Sequence, residues 1–443
     1  MNIVVLLNLT VLLTLGAFLL VFSRGTAVLL MLLPASQMLG LIDPMAIAVK
    51  GIFDIHLLIL IITLGLILVS VHRLRELYHA AFAVPYLVLL LLWIYGVLFP
   101  VFTDNSSLFF SLKASKEFMA AFTYFGVVLS LRTQRDVEWG WRFLLWLGLY
   151  YSGLEILCQV VGEPLLKHMT FDYRREAHWF WKVYLSFWPV MLITFLHSFF
   201  ELTQYARRSH LNLVLGACGV LLTFFRSYLL GMLCAIPLCL LLARQRLLKI
   251  ASKGIVLGGL LAAAVLVVTL LSSGSLDPAE RMFDLFISSG INEIQTQRGG
   301  ALEGREVYAK GRREILNDSP YLGYGFIDKD SKAGIRFQKQ ITGDMLGFID
   351  KGDLDVALKF GHLGQVLLYG TFAYFAWNLI RVGRQNIQPL LTVRCLALAT
   401  TVIVFLVVQP VHAPLTYSFG LLPFGIALGL IDRERMLAMS KTT

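Results

Sequence analysis

The chain has 443 residues, of which 57% are hydrophobic and 15% are charged, and its formal net charge is +10 at pH 7. An average soluble domain is roughly 45–50% apolar and about 25% charged, so this composition excludes a disordered chain and a soluble multidomain enzyme. Apolar runs long enough to cross a bilayer recur along the sequence and indicate an integral membrane protein. Cytoplasmic loops then explain the excess of Lys and Arg, and no nucleic-acid partner is expected.

The hydropathy pattern predicts an all-α, polytopic membrane protein with about 12–13 transmembrane helices. The predicted spans are 3–22, 26–42, 52–71, 79–101, 117–131, 143–161, 180–202, 211–225, 227–243, 254–272, 362–380, 391–410 and 415–431. As one helix, residues 211–243 would be about 50 Å long, against about 30 Å of hydrocarbon. Basic clusters on both sides of this segment favour the cytoplasm, so we predict that the chain turns back at Arg226.

The spans divide the chain into three parts. Residues 1–272 hold the first ten predicted spans, 273–361 form a large extracytoplasmic loop with short helices, and 362–443 hold the C-terminal spans and a cytoplasmic tail. The large loop contains 14 of the 28 acidic residues. On the side assigned to the cytoplasm there are 18 Lys and Arg residues, against 7 in the short outer loops. This bias places the C-terminus inside and the large loop outside.

Three arginines stand out near the predicted outer surface. Arg226 interrupts an apolar stretch, where a guanidinium is costly unless it faces a partner or lies in the headgroup layer. It is interpreted either as the tip of a hairpin or as a ligand for a lipid phosphate, which a planar, bidentate guanidinium suits. Arg305 and Arg312 are seven residues apart in a predicted helix, 305–317, and so share a face. That face is either a solvated basic surface or a second phosphate-binding element.

The predicted outer loop 162–182 is also basic. It contains Arg174, Arg175 and His178, followed by aromatic residues at 179–181. Basic residues outside the membrane depart from the orientation rule and need a reason. One interpretation is that arginines and aromatic rings anchor the loop to headgroups. The other is a cradle for a sugar and its pyrophosphate, with these three residues binding the substrate.

Three ordered elements of the sequence carry a resemblance to a known family. They are Arg226-Ser227; Arg305 followed by Pro320, Gly323 and Gly325; and Asp350-Lys351-Gly352 followed by Gly361-His362-Leu363-Gly364. In this order and spacing they resemble the motifs of the bacterial O-antigen ligase and O-antigen polymerase families. The resemblance covers roughly residues 211–380 and flanks the large loop.

The resemblance implies a multi-pass glycosyltransferase of the bacterial inner membrane. Its donor would be a glycan linked to undecaprenyl pyrophosphate, used on the outer side of the membrane. Its further partners would be the lipid bilayer, a flippase and chain-length regulator proteins. Ligases typically carry His where this chain has Asp350, whereas polymerases more often carry a carboxylate, so polymerisation of repeat units is preferred. Ligase activity stays an alternative, as does a lipid-linked oligosaccharide flippase, although no repeated halves are visible.

Sugar transfer needs a base for the acceptor hydroxyl and positive charge for the leaving pyrophosphate. Asp350 is the predicted base, with Arg226 and Arg305 as the catalytic arginines. Arg312 and Asp353 are predicted to bind substrate.

Two alternatives concern the same region. His362 is a rival base, and the acidic run at 350, 353 and 355 is a candidate for Mg²⁺ or Ca²⁺. Because arginines already serve the phosphates, no metal or other cofactor is expected. His412, between Pro410 and Pro414, is interpreted as a core residue.

Overall fold

The computed structural model describes residues 55–104, 106–161, 170–177, 180–185, 189–205, 210–223, 226–242, 301–340, 352–385 and 388–440. The predicted spans at 3–22, 26–42 and 254–272 lie outside these residues. Thirteen α-helices are described. They are α1 (Ile55–Val69), α2 (Ala83–Thr103), α3 (Leu108–Ser115), α4 (Thr123–Ser130), α5 (Gln134–Val161), α6 (Pro189–Tyr205), α7 (His210–Leu222), α8 (Arg226–Leu242), α9 (Ala301–Asp318), α10 (Lys332–Gln340), α11 (Gly352–Gln385), α12 (Pro389–Val408) and α13 (Ser418–Met439). Short 3-10 helices cover Val71–His79 and Phe118–Phe122.

The described part of the chain is nearly all helical, with one exception. A two-stranded antiparallel hairpin, β1 (Thr170–Ala177) and β2 (Phe180–Leu185), occupies the predicted outer loop. The all-α prediction is corrected here, and so is the predicted span 180–202. The first six residues of that span are aromatic and β-branched enough to form a strand. The helix begins only at Pro189, a residue suited to the first turn.

Two described helices, α2 and α12, are long and apolar enough to cross a membrane. Shorter apolar helices occupy Ile59–Val69, Phe118–Ser130, Pro189–Leu202, His210–Leu222 and Ser227–Cys239. The predicted break in the long apolar segment is confirmed, because α7 ends at Leu222 and α8 begins at Arg226. The chain therefore makes two helices in this segment, as the arginine within it predicted.

The helices pack around α12, which contacts α6, α8 and α11, while α13 lies against α4 and α5. One apolar cluster runs through this bundle. Small residues allow close packing: a Cβ on Gly231 would lie 3.1 Å from Val404, and one on Gly429 would lie 2.8 Å from Val127. Neighbouring helices of the bundle therefore approach each other closely at these glycines.

The two ends of the bundle differ in their polar contacts. At the end where α2 begins and α13 finishes, the Asp432 carboxylate accepts hydrogen bonds from the backbone N–H of Ala81 (2.8 Å) and Phe82 (3.1 Å) and from the Tyr124 hydroxyl (2.6 Å). A buried ion pair, Arg394–Glu434 at 2.7 Å, lies at the same end. We call this the basic end. The opposite end, where α12 finishes and α13 begins, holds the turn 409–417 and is called the loop end.

Candidate functional site

At the loop end, the segment after α9 docks onto α11 through its backbone. The N–H of Tyr324 donates to the carbonyl of Leu358 (2.7 Å), and the N–H of Gly325 donates to the carbonyl of Lys359 (2.8 Å). Gly323 and Gly325 adopt φ values of +68° and +75°, which favour glycine. The Pro-x-x-Gly-x-Gly element therefore adds a short stretch of backbone pairing to the start of α11.

The third motif element receives this segment. Gly361 interrupts α11 with a φ of +66°. The kink directs the N–H of His362 to the carbonyl of Pro320 (2.8 Å). A Cβ on Gly361 would lie only 2.0 Å from the carbonyl oxygen of Tyr321, and a Cβ on Gly323 only 2.5 Å from the nitrogen of Gly361. The two motif elements thus touch through glycines, and neither position has room for a side chain.

The same segment is anchored to α2. The N–H of Phe326 donates to the carbonyl of Gly96 (2.7 Å), and its buried ring packs against those of Phe118 and Phe360. This apolar contact ties the large loop to the bundle.

Ion pairs hold the large loop at two more points. Lys113 on α3 binds Asp328 (3.2 Å) and Asp330 (2.8 Å), and Arg336 on α10 binds Asp104 (3.0 Å). Burial lowers the pKa of Lys113, but the hydrogen bonds to the two carboxylates outweigh it and leave that pKa raised.

The turn 409–417 lies against the start of α11. A Cβ on Gly352 would lie 2.2 Å from the carbonyl oxygens of both Gln409 and His412, so only glycine permits this contact. On its other side, the imidazole of His412 stacks on the ring of Tyr228, with centroids 5.6 Å apart. Tyr228 is two residues after Arg226 in the first turn of α8. The turn therefore joins the beginnings of α8 and α11.

A charged network extends from this turn. The Asp355 carboxylate accepts hydrogen bonds from Lys359 (2.7 Å) and from the Thr416 hydroxyl (3.1 Å). The Lys359 ammonium also lies 4.6 Å from the ring centroid of Tyr417. Arg312 is only 2% exposed. Burial lowers its pKa and the Asp355 carboxylate raises it, which places the guanidinium within the field of the same acid.

The structure brings Arg312 and the first turn of α11 to the loop end, and it places two further predicted site residues on described helices. Arg226 is the first residue of α8, Arg305 lies two turns before Arg312 on α9, and Asp353 lies in the first turn of α11. Asp353 accepts a hydrogen bond from the Tyr369 hydroxyl. The predicted helix 305–317 is confirmed and is slightly longer. Both interpretations placed Arg312 on an exposed basic face, whereas the structure buries its guanidinium. The local sequence does not indicate that α9 packs on α11.

The remaining predicted residues lie elsewhere. Asp350 and His178 are outside the described residues. Arg174 and Arg175 are on β1, where their Cα partners across the hairpin are Lys182 and Trp181. Strand β2 packs against α5.

Sequence reasoning missed several residues of this site. Lys359 had a signal, because Asp and Lys four residues apart on a helix commonly pair. Thr416, Tyr417 and Tyr228 had none, since they reach the site only through contacts between distant segments.

The described residues contain no group of three or more His, Cys, Asp or Glu side chains that is placed to hold a metal ion. Asp353 and Asp355, two members of the acidic run, are engaged by Tyr369, Lys359 and Thr416. The expectation that no metal is required stays a prediction.

The comparisons with known proteins bear on the same region. Residues 211–369 match the family model described as O-Antigen ligase, which is just over a third of the chain. The comparison with curated proteins gives no match. The matched segment contains all three motif elements, of which the second and third touch at Gly323 and Gly361. Members of this family are membrane glycosyltransferase-like enzymes that act on lipid-linked glycans. Residues 211–369 thus match an O-antigen ligase domain, which is consistent with the O-antigen polymerase and ligase superfamily.

Proposed function

We propose that this protein polymerises oligosaccharide repeat units linked to undecaprenyl pyrophosphate, on the outer side of the bacterial inner membrane. The observation that carries the proposal is the convergence of the motif elements on one end of the bundle. Docking of the Pro320–Gly325 segment on Gly361 and contact of Gly352 with the turn 409–417 bring separate segments together. A transferase needs such a convergence because its base and its anion-binding groups must act on one substrate.

In the proposed reaction, the acceptor hydroxyl loses its proton with the help of Asp350. Its oxygen forms a bond to the anomeric carbon of the donor sugar, and the bond from that carbon to the pyrophosphate oxygen breaks. The leaving undecaprenyl pyrophosphate takes the electron pair, and Arg226 and Arg305 stabilise its charge. Guanidinium groups suit this task because they bind phosphate oxygens in a bidentate manner and stay charged.

The charged network at the loop end supports an anionic donor. The positive charge at this place comes from Arg312, which is 2% exposed, and from Lys359, and both lie beside the Asp355 carboxylate. In a partly buried place this charge attracts phosphate more strongly than it would in water. Arg312 then contributes to donor binding from inside the protein, and Asp353 binds the substrate near its sugar.

The hairpin is proposed to bind the sugar and pyrophosphate with Arg174, Arg175 and His178. Flippase and chain-length regulator proteins are the proposed protein partners. These assignments follow from the resemblance and from the basic composition of the loop.

The arginine assignments are tested with purified protein in proteoliposomes that contain the lipid-linked repeat unit. Arg226→Ala and Arg305→Ala should each abolish polymer formation without loss of expression, and Arg→Lys should rescue poorly because a point charge does not replace a bidentate fork. Arg313→Ala is the matched control, since Arg313 is exposed on the same helix as Arg305. Normal polymer length and amount in both alanine variants would refute the assignment.

The Asp350 assignment is tested by Asp350→Asn, which keeps the shape of the side chain but cannot accept the proton. Turnover should fall by roughly 10²–10⁴-fold, the usual contribution of general-base catalysis, while donor binding changes little. Full activity of the variant would remove Asp350 from the mechanism. Loss of wild-type activity in EDTA, restored by Mg²⁺, would instead assign the acidic run to a metal site.

The second candidate function is ligation, which the description of the matched family favours. A polymerase produces a ladder of lengths that stays on the lipid carrier. A ligase transfers one finished glycan to a lipid or protein acceptor. Gel analysis of the products, with and without a candidate acceptor, distinguishes the two.

A further inference from the structure

We propose that the last turns of α11 bind an anionic phospholipid. Arg381 and Arg384 hold the phosphate of its headgroup, and the exposed face of the helix contacts its acyl chains. The lipid belongs to the leaflet at the basic end, which the charge bias assigns to the cytoplasm. This site lies at the opposite end of the bundle from the loop end, and the inference does not depend on the proposed function.

The contacts of α12 place the two arginines at the basic end. The hydroxyl of Thr392, in the first turn of α12, donates to the carbonyl of Gly383 in α11 (3.0 Å). Arg394, two residues further along α12, forms the buried ion pair of the basic end. The end of α11 that carries the arginines therefore lies level with the polar contacts of that end.

A cavity of about 350 Å³ lies against this part of α11. Its described lining consists of Trp377, Ile380, Arg381, Arg384 and Gln385. Sites for small molecules span roughly 300–1,000 Å³, so the cavity has room for a small ligand. The lining combines an indole ring, an aliphatic side chain and two cations. This combination suits a ligand that joins an apolar part to a negative charge, as a phospholipid headgroup does.

The two guanidinium groups are exposed, and neither has a carboxylate partner among the described residues. Acids at the same end are engaged elsewhere: Glu434 is bound by Arg394, and Glu76 is bound by Arg73 and Arg433. The end of α11 therefore presents two positive charges that no described acid neutralises. A phosphate is the anion that a planar guanidinium binds best, because its oxygens accept two parallel hydrogen bonds.

An apolar, exposed face of α11 leads away from the two arginines. The exposed fractions lie between 49% and 71% for Leu363, Val366, Leu367, Tyr374 and Trp377. Residues at these intervals of three and four lie on one side of a helix. A Cβ on Gly370, on the same side, would meet nothing within 4 Å. Such a continuous apolar face is unfavourable in water but is satisfied by acyl chains in a bilayer.

The length of this face matches one leaflet of a bilayer. Gly370 and Arg381 are eleven positions apart, which is about 16 Å along a helix. Half of the hydrocarbon thickness of a bilayer is about 15 Å. An acyl chain that starts beside a headgroup at Arg381 therefore ends near Gly370, where the absence of a side chain leaves room. Trp377 lies between them, near the membrane–water boundary at which indole rings are enriched.

Two general effects place arginines at such a position without any ligand. Cytoplasmic helix ends are rich in Lys and Arg, and basic side chains stabilise the last carbonyls of a helix. Neither effect explains the cavity beside the arginines or the apolar face that continues from it. The preferred lipid is anionic, because a zwitterionic headgroup carries a cation beside its phosphate and the two guanidinium groups repel that cation.

The first experiment titrates lipids onto the delipidated full-length protein in detergent and counts bound lipid by native mass spectrometry. Phosphatidylglycerol should bind more tightly than phosphatidylcholine with the same acyl chains. In the double variant Arg381→Gln/Arg384→Gln, the affinity for phosphatidylglycerol should fall by about 30-fold, since each arginine near an anionic lipid contributes about fivefold. The control Arg135→Gln/Arg142→Gln removes the same charge from exposed positions of α5 at the same end and should keep the wild-type affinity.

An equal loss of affinity in the α5 control would reveal a general effect of charge and overturn the site. Wild-type affinity in the double variant of α11 would overturn it as well.

The second experiment uses the wild-type protein and is independent of how the variants fold. Phenylglyoxal modifies exposed arginines, and mass spectrometry of peptides gives the modified fraction of each one. Phosphatidylglycerol should protect Arg381 and Arg384 but not Arg142, whereas phosphatidylcholine should protect none of them. Modification of Arg381 and Arg384 at the same rate with and without phosphatidylglycerol would refute the inference. Equal protection by inorganic phosphate alone would replace the lipid by a free anion.

Discussion

Replacing Gly361 by alanine tests whether the docking of the large loop on α11 organises the site. The φ of +66° with an extended ψ is a conformation that costs other residues about 1–3 kcal/mol. The added Cβ would lie 2.0 Å from the carbonyl oxygen of Tyr321, so the loop must move by about 1 Å or more. That movement loses the hydrogen bonds of His362 and Leu363 to the loop, each contributing about 1 kcal/mol. The total destabilisation is about 3–5 kcal/mol.

The assay compares thermal midpoints of the purified protein in detergent, together with polymer formation. Gly361→Ala should lower the midpoint and reduce activity, because the large loop carries Arg305 and Arg312. Gly370→Ala is the matched control on the same helix. A Cβ at Gly370 meets nothing within 4 Å, and alanine there should stabilise the helix by about 0.5–1 kcal/mol. If both variants melt at the wild-type temperature, the docking does not stabilise the protein.

Asp432→Ala should lower stability by about 2–4 kcal/mol, measured by thermal unfolding, because it removes acceptors for the start of α2 and leaves the Tyr124 hydroxyl buried. Hydrogen bonding from Arg73 lowers the pKa of Glu76. Its stabilisation is therefore present above about pH 4.3 and lost as the pH falls through the lowered value, so Glu76→Gln should destabilise at pH 7 but less below pH ~4. In a variant without native cysteines, an impermeant maleimide should label Lys329→Cys but not Arg384→Cys in intact cells; the reverse would overturn the topology.

The local pattern of the sequence was sufficient for much of the fold. Apolar runs predicted the helices, and a single arginine in a long run predicted the break before Arg226. Pro320 and the glycines that follow correctly predicted the end of α9. The hairpin was missed because its aromatic residues raise hydropathy and favour strands at the same time, so composition alone assigned β2 to a span.

The site was less predictable because contacts between distant segments decide it. Arg312 is buried on a helix, α9, that packs on α11, and the sequence around Arg312 resembles that of any solvated basic helix. His412 was interpreted as a core residue because its neighbours are apolar and two prolines flank it. Its proximity to Gly352 depends on a contact between residues sixty positions apart, which no local periodicity records.

The same sequence motifs contain glycines that pack and charged residues that are proposed to act in the reaction. Gly323, Gly352 and Gly361 each lie where two backbones touch, and a Cβ at any of them would lie within 2.5 Å of a backbone atom of another segment. Of the charged residues of the motifs, Arg305 lies on α9, which precedes the docked segment, and Asp350 precedes Gly352 by two residues in the sequence. A shift in spacing between a glycine and its charged residue would leave the contact intact but move the charge by about 1.5 Å per residue along a helix. Since a misplacement of 1 Å is costly for transfer chemistry, we infer that the spacing itself is part of the site.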